Sequence, residues 1–188
     1  MMDDYKLEAD DCSLARAART DRAAFDLLYR RYVDRVYRYC YAHAGNRADA
    51  EDLTAQTFVA ALESLGRYRG RGPFAAWLFS IARHKCADHY RRQYASRSEP
   101  LSAVHSDPAS LPAGPEEVVY RNDLLACIEG ALPHLSPDRR EAIMLRFWGG
   151  LSIRAVAAAM GRSESAAKML VWRAVAELRR RCLDDQDG

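Results

Sequence analysis

The chain has 188 residues, enough for one domain or two small ones, and its 49% hydrophobic and 29% charged residues are the composition of a folded soluble protein. No apolar run approaches the roughly 18 residues needed to span a bilayer. The acidic start MMDDYKLEADDCS lacks the basic-then-apolar order of a secretory leader, so a cytoplasmic protein without membrane insertion is expected. The net charge of +2 favours no partner class by itself, but the charge is segregated. Residues 1–66 hold 9 Lys/Arg against 12 Asp/Glu, residues 67–92 hold 7 against 1, and residues 162–181 hold 6 against 2. Two basic blocks separated by a neutral-to-acidic stretch imply two contacts with one polyanion.

From Asp21 to Ala44 the apolar positions Phe25, Leu28, Tyr32, Val36, Tyr39 and Cys40 recur at three and four, predicting a helix that stops at Gly45-Asn46. A second helix, from about Arg47 to Leu65, is expected to turn Leu53, Phe58, Ala61, Leu62 and Leu65 inward. A third begins at Gly72-Pro73, where proline suits the first helical turn. It carries Phe74, Trp77, Leu78 and Ile81 on its apolar face and runs to about Arg92. The stretch QYASRSEPLSAVHSDPASLPAGP, rich in proline and serine, reads as a flexible linker over residues 93–115.

Helical spacing returns at Glu116, with Val119, Leu124, Leu125, Ile128 and Leu132, before Pro133. Ser136 is placed as the cap of a helix opening on Pro137, and Gly149-Gly150 as a turn. From Leu151 the order is Ser152 as a cap, a short helix with Val156 and Ala157, a break at Gly161, Ser163 as a second cap, then a long helix. No alternating segment is long enough for a strand. The fold class is therefore all-α: two small helical domains, residues 1–92 and 116–188, joined by the linker.

Glycine-rich phosphate loops, a nucleophile elbow and HExxH are all lacking, and Ser, His and Asp never cluster at catalytic spacing, so no enzyme is expected. The five cysteines, Cys12, Cys40, Cys86, Cys127 and Cys182, form no CxxC or CxxxH pair and read as buried thiols. His84, Cys86 and His89 place at most two candidate ligands on one helix face, so neither a metal nor another cofactor is expected.

Three stretches point to function. NRADAEDLTAQTFVAALESL puts Asp49, Asp52 and Gln56 on one helical face with Glu51 beside it. A solvated helix start would look the same, but an acidic stripe next to a basic block also suits a protein partner. RYRGRGPFAAWLFSIARHKCADHYRR joins a loop of Arg67, Arg69 and Arg71 to a helix that bears Phe74, Trp77, Phe79, Arg83, Lys85, Tyr90, Arg91 and Arg92. Cations that track phosphates, interleaved with rings, are what single-stranded DNA binding needs, although Trp77 reads as core before platform. GRSESAAKMLVWRA has the form of the hinge and second helix of a helix-turn-helix.

Taken together, DAEDLTAQTFVAAL, FAAWLFSIARHKCADHYRR and LSPDRREAIMLRFWGGLSIRAVAAAMG, in that order over residues 20 to 181, resemble the extracytoplasmic-function subfamily of bacterial sigma factors. The resemblance implies a transcription initiation factor with two partners, core RNA polymerase and promoter DNA, and an anti-sigma factor as a third. It implies that Asp49, Glu51, Asp52 and Gln56 bind core polymerase. It assigns the −10 element to the loop arginines Arg67, Arg69 and Arg71 together with Trp77, Arg83, His84, Lys85, Asp88, Arg91 and Arg92. It assigns the −35 element to Arg162, Ser163, Ser165, Lys168, Met169, Trp172 and Arg173. His84 stands where the family usually has asparagine, Ala166 where it has threonine and Leu170 where it has arginine. The competing reading is a helix-turn-helix regulator acting without core polymerase, which would not require an acidic helix beside the basic aromatic block.

Overall fold

The computed structural model describes the backbone of residues 2–96 and 124–183, and side chains over residues 10–93 and 124–183. All regular elements among the described residues are helical. The first half contains α1 (Met2–Ala17), α2 (Arg22–Ala44), α3 (Arg47–Ser64) and α4 (Phe74–Ser96). The second contains α5 (124–131), α6 (Pro137–Phe147), α7 (Ile153–Met160) and α8 (Glu164–Leu183). The expected linker over residues 93–115 lies outside the described residues except for 93–96, which continue α4; the expected helix start at Glu116 and Val119 also lie outside.

The helices begin and end where local chemistry places them. Asp21 caps α2 by accepting from Ala23 N at 2.9 Å, and Gly45 ends it with a positive φ of 72°. Asn46 and Asp49 cap α3 reciprocally: Asp49 N donates to Asn46 Oδ1 at 2.9 Å and Asn46 Nδ2 to Asp49 Oδ2 at 2.7 Å. Ser152 caps α7 through Ala155 N, and Ser163 caps α8 through Ala166 N, both at 3.2 Å. Ser136 precedes Pro137 as expected but makes no capping side-chain bond.

The stripe expected on α2 is the one that is buried: Leu28, Tyr32, Val36, Tyr39 and Cys40 are at most 2% exposed. Phe25 is half-buried against them. On α3, Leu53, Phe58 and Ala61 face inward, but Leu62 does not; it is 47% exposed, with Val59 beside it at 57%. Three residues at positions 53, 57 and 61 already fill the groove against α2 and α4, and Leu62 falls one residue past that stripe. Phe79, grouped with the basic aromatics in the sequence, is fully buried.

α1 has no counterpart in the sequence reading. Beside the buried Ala15 and the packed Cys12 and Leu14, it docks through a buried carboxylate: Asp11, 2% exposed, accepts from the Tyr32 hydroxyl and from the Arg31 guanidinium. Both bonds offset the cost of taking the charge out of water.

Two helical domains are present, and they pack against each other. Arg35 of α2 donates to Gly149 O at 2.9 Å and Gly150 O at 2.7 Å, Tyr39 donates to Glu141 Oε1 at 2.6 Å, and Arg83 donates to Ala159 O at 2.9 Å. Gly149 sits where a Cβ would come within 2.8 Å of the Phe79 ring and 2.7 Å of Leu145 O. His43 lies in the same seam, its Nε2 3.5 Å from Glu141 Oε2. Burial, aided by the nearby Arg140, pushes its imidazole down to about 3, so it is neutral at pH 7 and the contact is no ion pair.

The cysteines correct the reading of five buried thiols. Cys40 and Cys86 are buried and face each other at 4.0 Å, and Cys12 is half-buried. Cys127 of α5 and Cys182 of α8, 55 positions apart in sequence, form a disulfide with Cα atoms 5.7 Å apart. No local motif announces a pair at that separation. In the chain-entropy view, closing a loop of this size stabilises the fold by about 4 kcal/mol.

Candidate nucleic-acid interface

The basic loop of residues 68–73 is held from below. Tyr68 is 5% exposed, its hydroxyl donates to Gly72 O at 2.9 Å, and Cys12 Sγ lies 3.2 Å from the Tyr68 hydroxyl oxygen. Burial and the Cys12 contact push that phenol well above its ordinary range, so it stays a neutral donor. With Tyr68 anchored inward, alternation sends Arg67, Arg69 and Arg71 out to solvent. Gly70 adopts a φ of 66°, and the guanidinium of Arg16 approaches to 3.2 Å of its Cβ position. Arg16 is thus a fourth cation at this loop, invisible to a reading that lacked α1.

The loop borders an open cavity of about 400 Å³ whose walls are Arg67, Arg69, Arg71, Trp77, Ser80 and Ala158. Trp77 is half-buried, packed against Tyr68 and Phe74 with ring centroids 5.2 and 5.5 Å away, and also forms the cavity wall. It is both core and wall. At 3.6 residues per turn, Ser80, His84, Asp88 and Arg91 follow Trp77 along one face of α4. His84 is exposed and its Nδ1 donates to Ser80 O at 2.6 Å, which leaves Nε2 turned outward. Asp88 pairs with Arg91, whose guanidinium holds the carboxyl below its ordinary range. Lys85, half-buried, and Arg92, exposed, flank this face. Arg83 does not join it; it is turned toward α7. The three residues once weighed as metal ligands diverge, with Cys86 against Cys40 and His89 toward Asp49 at 3.4 Å.

On α8, Ser165, Lys168, Met169, Trp172 and Arg173 are exposed together, opposite the buried Ala167, Ala174 and Leu178. Trp172 at 64% and Met169 at 44% are among the most exposed large apolar side chains described. Ala166 and Leu170 sit half-buried along the flank, where apolar residues pack rather than reach. Ser163 has its hydroxyl engaged in the cap, and Arg162 pairs with Asp138 at 2.7 Å. The hinge before α8 is a glycine C-cap: Gly161 has a φ of 65°, and Arg162 N donates back to Ala157 O at 2.9 Å.

The acidic group on α3 divides. Asp52 is exposed and accepts from Gln56 Nε2 at 2.7 Å, and Val59 continues their face one turn on. Glu51 pairs with Arg47 at 2.7 Å. Asp49 turns toward α4, where Gln93 Nε2 donates to it at 3.2 Å, so it fastens two helices as well as capping one. The exposed Val59 and Leu62 make this face mixed acidic and apolar, a feature that the inward placement of Leu62 had hidden.

Among the described residues no helix is long and apolar enough to cross a membrane, and no group of three metal-ligating side chains comes together. Residues 28–95 match the family model of sigma-70 region 2, and residues 125–178 that of sigma-70 region 4. The chain is 40% identical over 172 residues to the ECF RNA polymerase sigma factor BldN of Streptomyces coelicolor, covering 90% of this chain and 64% of that protein. Against SigE of Mycolicibacterium smegmatis the identity is 33%, with 86% and 64% covered, so the chain spans slightly under two thirds of both these relatives. Against SigD of Mycobacterium tuberculosis it is 33% over 174 residues, with 90% and 82% covered. Among solved structures, that of CnrH in complex with the cytosolic domain of CnrY superposes with a TM-score of 0.67 at 27% identity, covering 95% of this chain and 99% of the other.

Proposed function

Because the chain belongs to the sigma-70 family, in its extracytoplasmic-function subfamily, we propose that it joins core RNA polymerase and directs it to promoters. The domain of α1–α4 opens the −10 element and the domain of α5–α8 reads the −35 element. The observation that carries this reading is the cavity enclosed by Arg67, Arg69, Arg71 and Trp77. Its arginines meet backbone phosphates, and a base leaving the stack enters beside the indole. Unstacking costs a few kcal/mol per base, which the charged loop and the cavity wall offset.

The exposed face of Asp52, Gln56, Val59 and Leu62 is the surface for core polymerase. On α8, Lys168 and Arg173 meet phosphates while Met169 and Trp172 supply apolar contact in the major groove. Sequence there is read more by shape and methyl contact than by hydrogen bonds to base edges. Such a factor makes and breaks no covalent bond itself, needs no cofactor, and works in the cytoplasm beside polymerase. An anti-sigma factor is the third partner, and the CnrH structure, a complex with the cytosolic domain of CnrY, supports that reading.

Run-off transcription with core polymerase, followed by sequencing of the start sites, tests the proposal. Transcripts whose starts share two upstream elements are expected. No promoter-dependent transcript from any genomic template would end it. A regulator acting as a dimer without polymerase would instead elute unchanged when core polymerase is added before gel filtration.

A further inference from the structure

The disulfide joins the helix that opens the second domain to the helix that closes it. α5 is described over residues 124–131. Its apolar residues Leu124, Leu125 and Ile128 are only half-buried. The covalent link to Cys182 is therefore a major constraint on its place. Cys127 also differs in access from Cys40 and Cys86. Cys40 and Cys86 are sealed inside the first domain at 0% and 3% exposure. Cys127 is half-buried; Cys182 is itself 5% exposed and forms part of the wall of an apolar groove of about 500 Å³ with Leu124, Leu125, Phe147 and Leu183. A small reductant is expected to reach the pair at the half-buried Cys127 without unfolding the domain.

The compartment in which core polymerase works keeps thiols reduced, and disulfides found there are chiefly transient or redox-sensing. Resting on the sigma-factor reading, we propose that Cys127 and Cys182 form a reversible redox modification site that controls the order of the −35-reading domain. In the reducing direction a dithiol supplies two electrons. Its thiolate attacks the Cys127 sulfur, the sulfur–sulfur bond breaks, and Cys182 leaves as a thiolate that takes up a proton. The second thiol of the reductant then displaces Cys127 as a thiol and closes its own disulfide. Arg179 in the groove wall favours the departing thiolate. In the oxidising direction a hydroperoxide converts the Cys127 thiol to a sulfenic acid and leaves as its alcohol or water. Attack by Cys182 then forms the disulfide and expels water. Oxidation pins α5 to α8; reduction frees α5 and loosens the helix that bears Lys168 and Trp172.

The test uses the full chain. After oxidation by hydrogen peroxide and unfolding, three cysteines are expected to take a maleimide label, and after reduction by dithiothreitol all five. Opening of the native disulfide should be first order in dithiothreitol and faster than global unfolding measured by denaturant jump. Reduction no faster than unfolding would make the bond a fixed structural one and overturn the proposal. Run-off transcription with core polymerase should be about five-fold or more stronger for the oxidised chain, and equal in both redox states for Cys127→Ser and Cys182→Ser. Equal transcription by the wild type in both states also overturns it. Absence of transcript in either state counts against the sigma-factor reading instead, and the labelling then decides the redox site alone. Helical content by circular dichroism confirms that each variant is folded.

Discussion

Asp49 and Asp52 lie three positions apart on the same acidic helix, yet they are engaged differently. Asp49 closes the cap with Asn46 and accepts from Gln93 of α4, whereas Asp52 accepts from Gln56 of its own helix. Asp52→Lys is expected to weaken binding of core polymerase, measured by fluorescence anisotropy, at an unchanged melting temperature. Asp49→Lys should weaken binding and also lose about 1 kcal/mol or more of stability, from the cap alone. Equal melting of both variants would show that the Asp49 contacts are stabilising nothing. Lys168 presents the converse case, an exposed cation with no cap or pair to maintain. Lys168→Ala should lower affinity almost evenly across −35 variants and reduce the salt slope of binding by about one. A loss confined to one base would show that the residue reads sequence. What the sequence concealed at this scale was partnership. Composition names the acids and bases correctly, but whether a carboxylate faces solvent or a neighbouring helix is decided by packing.

The helices themselves were largely legible. α2 begins and ends within a residue of its expected bounds because Asp21 and Gly45 are local signals that need no tertiary context. α1 was missed because nothing in its own pattern explains its docking: the Asp11 contact draws on Tyr32 and Arg31, two residues of another helix. The disulfide was missed for the same reason, as its two residues lie on helices that meet only in three dimensions. Between elements, the seam of α2 and α6 makes a prediction about pH. His43, facing Tyr39, Glu141 and Arg140, titrates near 3 when packed and near its ordinary value of about 6.5 when released. Between those values the released state binds the extra proton, so packing is strongest above pH 6.5 and weakens on acidification. Burial raises the Glu141 carboxyl, and this opposes the trend as the pH falls through its raised value. Melting temperature should therefore fall between pH 7.5 and 5.5, by up to about 1.4 kcal/mol of stability per pH unit, and His43→Gln should flatten that fall.

For the whole molecule, no motif signals that the two domains touch. Arg35 donates to two glycine carbonyls, and Arg83, expected to face DNA, is bonded to α7 instead. Ala158 of α7 also borders the cavity of the loop arginines, so the second domain lies against the entrance of that cavity. Arg35→Ala is expected to raise the radius of gyration in small-angle scattering. The variant should also bind a −10 single strand more tightly than wild type in the absence of polymerase. An unchanged radius would mean that Tyr39, Glu141 and Arg83 suffice to hold the seam.

Gly149 gives that seam a mechanical property. The Phe79 ring and the Leu145 carbonyl leave less room there than a single methyl group needs. The fit between the domains therefore works as a feeler gauge: Gly149→Ala inserts the thinnest possible shim without altering any charge or any residue that meets DNA. A gap that closes on hydrogen alone has no tolerance for wear, so the packed and parted forms should be separate states rather than the ends of a gradual yielding.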